Sequence, residues 1–143
     1  MKRWPVYLAL SIVGLLWFGL AAFAQTFQAD SKVNVKSYIV ANNTTAVVVK
    51  ATSGALYTLE AFNNSATIAY VKLYDAATAT CGSGTPQIRY MIPANTAGAG
   101  YISPNVNGTS FPSGIVMCVT TGIADNNTGA PAATTYLVNV HYK

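Results

Sequence analysis

Charged side chains are scarce in this sequence of 143 residues: Lys, Arg, Asp and Glu together make up 8%, against about a quarter of an average globular domain. Apart from Lys2 and Arg3, the cations stand singly along the chain. A nucleic-acid surface needs Lys and Arg clustered on one face, because affinity grows with the number of phosphates neutralised. We therefore expect no nucleic-acid partner.

Groups suited to catalysis are equally few, and no catalytic motif is present. Beyond residue 32 the chain has one histidine and three carboxylates, so an acid–base pair would have to come from Glu60, Asp75, Asp125 and His141. The sequence lacks a Gly-x-Ser-x-Gly elbow, a His-Glu-x-x-His motif and a phosphate-binding glycine loop. One histidine cannot complete a zinc site with two cysteines. We expect no catalytic residue, no metal and no cofactor, and hence no enzyme.

The only two cysteines, Cys81 and Cys118, do not form a Cys-x-x-Cys redox motif. In an oxidising compartment such a pair is expected to form a structural disulfide. On the chain-entropy model, closing a loop of this size stabilises the fold by about 3–4 kcal/mol. The sequence therefore predicts a Cys81–Cys118 disulfide in a protein that leaves the cytoplasm.

Residues 1–24 have the pattern of an export signal. Lys2 and Arg3 precede an apolar stretch, and Ala22-Phe23-Ala24 gives the small-x-small pattern that signal peptidase cleaves. The alternative is an uncleaved N-terminal anchor helix, since the stretch is long enough to cross a bilayer. We favour cleavage, with a flexible lead-in at 25–32 and one domain at 33–143. Either outcome exports the domain to the periplasm, the medium or the cell surface, and membrane contact is expected only through an uncleaved leader.

Beyond the leader, short β-prone runs alternate with turns rich in Asn, Gly, Pro and Ser, which indicates an all-β domain. The C-terminal run has strict period two, with Tyr136, Val138 and Val140 on one face and Asn139 and His141 on the other. The predicted strands lie at 33–40, 45–50, 55–62, 67–74, 87–92, near 101–102, and at 114–120 and 134–142.

Seven or eight short antiparallel strands are expected to close as a single β-sandwich. A jelly-roll and an immunoglobulin-like arrangement both fit this spacing. Both tryptophans, Trp4 and Trp17, lie in the leader. No tryptophan is therefore available to pack against a disulfide as in a true immunoglobulin domain.

Tyrosines are the side chains best suited to binding, because each combines apolar area with a hydroxyl group. In the 67–74 run, Tyr70 and Tyr74 share a face with Lys72, which predicts an exposed aromatic strip. Tyr101 lies in a Gly- and Asn-rich segment that also suits contact. These four residues form the candidate contact surface, and the alternative is that the rings fill the core.

Distinct turn and strand patterns occur at 56–66, 70–75, 85–86, 92–93, 111–115 and 138–142. Together they resemble the patterns of small β-sandwich proteins encoded by tailed bacteriophages and environmental viral genomes. The similarity covers roughly residues 33–143, and it implies a virion-associated role such as capsid decoration or a tail or fibre component. The leader departs from that family pattern.

Two functions follow as hypotheses. The first is a non-catalytic structural or assembly module, with protein partners or self-association, in a virion or at a surface. The second is an exported module that binds carbohydrate or a cell surface through tyrosines and the loop at 94–113.

Overall fold

The computed structural model describes residues 33–40, 44–95 and 101–143, with the backbone alone for 101–107. These residues form eight β-strands and no helix. The predicted leader and lead-in therefore lie outside the described residues. No helix in the described part of the chain is long and apolar enough to cross a membrane. The strands are β1 (Asn34–Ile39), β2 (Val47–Lys50), β3 (Gly54–Asn63), β4 (Ala69–Asp75), β5 (Ile88–Ile92), β6 (Tyr101–Phe111), β7 (Ile115–Thr120) and β8 (Tyr136–Tyr142).

Each predicted run overlaps one of these strands, and the main difference is the length of β6. The sequence predicts a short strand near Tyr101, whereas β6 continues to Phe111 despite Pro104 and Gly108. Pairing with β3 explains the extension. Thr58 lies opposite Pro104 and Leu56 lies opposite Thr109, so residues 105–108 form an irregular excursion between two paired stretches. Gly108 adopts a φ of 73° there, a conformation that glycine reaches without strain.

The strands form two antiparallel four-stranded sheets, ordered β1-β8-β3-β6 and β2-β7-β4-β5. The pairing links the two halves of the chain. The first strand pairs with the eighth, the second with the seventh, the third with the sixth and the fourth with the fifth. Two further pairings, β3 with β8 and β4 with β7, join these hairpin-like pairs into sheets.

The two sheets share one hydrophobic core. Side chains alternate along each strand, so every second residue faces the opposite sheet. The predicted faces of β4, β5 and β8 are confirmed: Val71, Ile92 and Val138 are fully buried in the core. An all-β fold of two antiparallel sheets is thus established. The buried core residues are Val40, Leu56, Leu59, Ala61, Phe111, Tyr136, Val138 and Val140 from one side, and Val49, Ala69, Val71, Leu73, Ile92, Ile115, Met117 and Val119 from the other.

Strand β7 is buried along its whole length, on both faces. Its inward residues belong to the main core, whereas Val116 and Cys118 join a second cluster with Tyr74 and Cys81. That second cluster lies on the outer face of the β2-β7-β4-β5 sheet. The outer face of this sheet is therefore covered, and connecting loops supply the cover.

The predicted disulfide is confirmed. Cys81 and Cys118 are bonded, with their Cα atoms 5.7 Å apart. Cys81 belongs to the connection between β4 and β5, whereas Cys118 projects outward from β7. The bond therefore fastens that connection onto the outer face of the sheet. Its presence is compatible with an oxidising environment.

Replacing both cysteines by alanine, Cys81→Ala with Cys118→Ala, should lower the free energy of unfolding by about 3–4 kcal/mol, because the unfolded chain regains its loop entropy. Urea unfolding of the full chain measures this loss. Thr80→Ala, an exposed change in the same loop, serves as the control and should shift stability by less than about 0.5 kcal/mol. A double variant as stable as the native chain would contradict the prediction.

Candidate interaction surfaces

The structure corrects the predicted contact surface. Tyr70, Lys72 and Tyr74 do share one face of β4, but Lys72 is 0% exposed and Tyr74 only 4%. The prediction of an exposed strip is therefore wrong for Lys72 and Tyr74. The reason is tertiary: two loops, which alternation along one strand cannot reveal, fold over this face. Tyr101 lies in β6, where its side chain is outside the described part of the chain.

The 121–129 loop covers Lys72. The Lys72 ammonium donates hydrogen bonds to the backbone carbonyl oxygens of Ala124, at 2.5 Å, and Asn127, at 3.4 Å. Burial lowers the pKa of Lys72; the nearby Asp125 carboxylate opposes this effect and the Arg89 guanidinium adds to it. A cation taken out of water needs such acceptors to offset its desolvation. Lys72 is thus a buried anchor for the loop.

The 121–129 loop is also organised by its own polar groups. The Asn127 side-chain oxygen accepts hydrogen bonds from the amides of Gly122, at 3.0 Å, and Gly129, at 3.1 Å. The amide of Thr121 donates to the Gly129 carbonyl at 3.0 Å. A Cβ atom on Gly122 would lie 2.6 Å from the Asn127 side chain. The loop therefore depends on glycine at this point of close approach.

A second tie joins the loop to β5 at the surface. The Arg89 Nε donates to Asp125 Oδ1 at 2.8 Å, and the guanidinium Nη2 contacts the same oxygen. Both side chains are partly exposed to solvent. Solvent-exposed ion pairs contribute about 0–1 kcal/mol, so this tie orients Asp125 more than it stabilises the fold.

The connection between β4 and β5 covers Tyr74. Burial raises the pKa of the Tyr74 phenol, against an opposing contact with the Gly82 backbone. The same connection borders an open depression of about 520 Å³, whose polar lining is rich in hydroxyl groups. Asp75 also lines it, but one of its oxygens accepts hydrogen bonds from the Ser113 and Gly114 amides. Hydroxyl groups in such a depression can exchange hydrogen bonds with a small polar ligand. They belong to Thr78, Thr80, Ser83 and Thr85.

A small apolar patch survives on the outer face of the β2-β7-β4-β5 sheet. Tyr70 is half-buried and lies directly opposite Met91 of β5, which is 50% exposed. Ile68, just before β4, is also exposed. Among the described side chains of the predicted strip, only that of Tyr70 is therefore partly exposed.

The outer face of the β1-β8-β3-β6 sheet carries a larger surface, which we call the open face. Antiparallel register places Ile39, Leu137 and Phe62 in one cross-strand row. Ile39 is 60% exposed, and Leu137 and Phe62 are half-buried. Aliphatic and aromatic side chains in adjacent positions form a continuous apolar row, which favours contact with another protein.

Two more rows complete the open face. Ser37, Asn139 and Glu60 form the middle row, and Val35, His141 and Thr58 form the third. Their side chains are exposed or half-buried. The open face thus has an apolar row, a polar middle and a mixed third row across three neighbouring strands.

The open face brings together two of the four candidate acid–base residues. Glu60 Oε1 lies 3.4 Å from His141 Nε2, and Asn139 donates to Glu60 Oε2 at 3.3 Å. Asp75 and Asp125 lie at the loops of the other sheet. No three His, Cys, Asp or Glu side chains of the described residues are grouped as metal ligands. Glu60, His141 and Asn139 form a polar centre that can orient a partner through hydrogen bonds.

Comparisons with protein-family models, with curated proteins and with solved structures found no match to this chain. The candidate surfaces are therefore defined by their geometry. Sequence reasoning missed the apolar part of the open face, although the alternation of Val35, Ser37 and Ile39 in β1 was a signal for it. It also missed the anchoring role of Lys72, for which no local pattern exists.

Substituting Lys72→Met should free the 121–129 loop, because two loop carbonyls lose a charged donor. We expect the free energy of unfolding to fall by about 1–3 kcal/mol. Hydrogen exchange at the Gly122 and Gly129 amides should accelerate about tenfold. The control is Arg89→Gln, which removes an exposed ion pair and should cost less than about 1 kcal/mol. Unchanged hydrogen exchange in the Lys72 variant would show that the 121–129 loop keeps its conformation without Lys72, which would contradict the prediction.

Substituting Tyr74→Phe should change how stability depends on alkaline pH. The folded pKa of Tyr74 is raised above its ordinary value of 10.0, so the unfolded chain loses this proton first. The native chain therefore loses stability as pH rises above about 10, and Tyr74→Phe removes that contribution. Urea unfolding between about pH 8 and pH 11 should show curves that diverge above about pH 10. Parallel curves throughout would contradict the raised pKa.

Proposed function

We propose that this chain is a non-catalytic structural module that assembles by contact through its open face. The observation that carries this proposal is the difference between the two outer faces. One is largely covered by loops of the same chain, with a disulfide and a buried lysine beneath them. The other presents an apolar row beside a polar centre. Interfaces combine apolar area with a few oriented polar groups in this way.

We infer that the sandwich is a jelly roll and not an immunoglobulin-like domain. The pairing of β1 with β8, β2 with β7, β3 with β6 and β4 with β5 supports this assignment. It is the pattern of a long antiparallel hairpin wrapped into two sheets. Eight-stranded jelly rolls occur in viral capsid and lectin domains. Fold alone does not decide between such functions.

Within this function we propose a virion-associated role, in capsid decoration or in a tail or fibre. The low charge of the chain supports a surface covered by neighbouring subunits. The disulfide supports an exported location, at the cell surface, in the periplasm or in the medium. A viral protein routed through the cell envelope satisfies both lines of support.

The alternative function is carbohydrate binding, and the depression beside Tyr74 and Asp75 favours it. Its volume of about 520 Å³ lies within the range of ligand pockets, roughly 300–1,000 Å³. A glycan array run beside a measurement of molar mass separates the two functions. A discrete oligomer that binds no glycan supports assembly, whereas a monomer that binds a sugar supports the alternative.

Substituting Phe62→Gln should weaken assembly about tenfold, because it replaces the aromatic member of the apolar row by an amide. Light scattering after size-exclusion chromatography of the full chain measures the molar mass, and mass spectrometry identifies its N-terminus. Met91→Gln is the matched control, since Met91 is an apolar side chain that is 50% exposed and lies on the other sheet. Equal effects of the two variants would contradict the assignment to the open face.

A further inference from the structure

The four edge strands of the two sheets differ in how well they are protected. Exposed edges offer unpaired backbone groups to another chain, and proteins block them with bulges, prolines and short strands. Strand β2 has only four residues, with a register shift between Val48 and Lys50. Strand β6 contains Pro104 and the excursion at 105–108. These two edges are poorly suited to strand pairing.

The β5 edge is also blocked. This strand has five residues and is followed directly by Pro93. Just before it, the Gln87 side chain donates to the Ser110 carbonyl of β6 at 2.8 Å. That hydrogen bond joins the β5 edge to the neighbouring edge of the other sheet.

Strand β1 has none of these protections within the described residues. It runs for six residues in unbroken register with β8, which is its only described pairing partner. Among its residues, Lys36 carries the single charge. Val35 and Ile39 are 55% and 60% exposed and belong to the open face. The β1 edge therefore continues the surface to which the proposed function assigns assembly.

We propose that two copies of this chain pair through their β1 strands, antiparallel and centred on Ser37. A two-fold axis perpendicular to the sheet keeps both open faces on the same side. This symmetry pairs Val35, Ser37 and Ile39 only with one another, because directly opposed residues share a face. A centre at Ser37 places Val35 opposite the partner's Ile39, and Lys36 opposite the partner's Tyr38.

The alternative centres are less favourable. Centring the pair on Lys36 would place two ammonium groups directly opposite each other, which is destabilising. Centring it on Tyr38 would place Ile39 opposite a serine and shorten the overlap. The Ser37 register instead pairs two aliphatic side chains and places a lysine near an aromatic ring. The strand is thus self-complementary in one register.

The dimer would join two four-stranded sheets into one continuous sheet of eight strands. Its open faces would merge into a single surface around the two-fold axis. This inference rests on the proposed function and names its partner, a second copy of the same chain. The contact at Ser37 can be tested separately from the apolar row at Phe62.

The first test is a Ser37→Cys variant of the full chain. At the axis, the Cβ atoms of two such cysteines would lie about 4.5–5.5 Å apart. Mild oxidation should therefore form a disulfide-linked dimer. The native cysteines are bonded to each other. Thr52→Cys, an exposed position in the loop after β2, is the control. Non-reducing electrophoresis should show a dimer for Ser37→Cys and mostly monomer for Thr52→Cys.

The second test is Ser37→Lys, which places two like charges on the axis and should weaken dimerisation about tenfold. Asn64→Lys adds the same charge at an exposed turn and should leave the molar mass unchanged. A native oligomer that persists in Ser37→Lys, with no crosslink in Ser37→Cys, would overturn β1 pairing and leave assembly through the open face intact. A native chain that is monomeric at roughly 100 μM would overturn both β1 pairing and assembly through the open face. This is the result expected if another segment of the chain covers β1.

Discussion

The ammonium group of Lys72 lies beneath the 121–129 loop, where backbone carbonyl oxygens of the loop accept its hydrogen bonds. This contact makes the two sheets of the sandwich unequal. Together with the Cys81–Cys118 disulfide, it holds loop residues over one outer face, so that β7 is buried on both sides. The other sheet keeps an accessible outer face, where three neighbouring strands present an apolar row and a polar centre.

The charge-poor composition takes on a specific meaning in this fold. The few ionisable groups serve local structure: Lys72 and Arg89 position one loop, and Asp75 accepts hydrogen bonds from the backbone before β7. Glu60 and His141 meet on the open face, where the other side chains of its three rows are neutral. Such a distribution gives the open face little long-range electrostatic steering.

Features that depend on local pattern could be predicted from the sequence, whereas those that depend on distant contacts could not. The alternation in β8 predicts which side chains enter the core, because side-chain direction follows from strand geometry alone. The same rule places Tyr70, Lys72 and Tyr74 on one face, but it says nothing about loops that fold over that face. The predicted length of β6 was wrong for a similar reason, since pairing with β3 outweighs the turn preference of Gly108. The predicted run at 55–62 stops short of Asn63, which belongs to β3 and whose buried side-chain amide donates a hydrogen bond to the distant Pro93 carbonyl.

The pairing of the first strand with the last has a consequence for when the molecule folds. β1 acquires its described neighbour only after β8 has been synthesised, roughly a hundred residues later, and such distant contacts form slowly. Until β8 has been made, the nascent chain lacks the strand that pairs with β1. Delayed folding of this kind keeps a polypeptide unfolded for longer, and an unfolded chain is what passage through a narrow translocation channel requires.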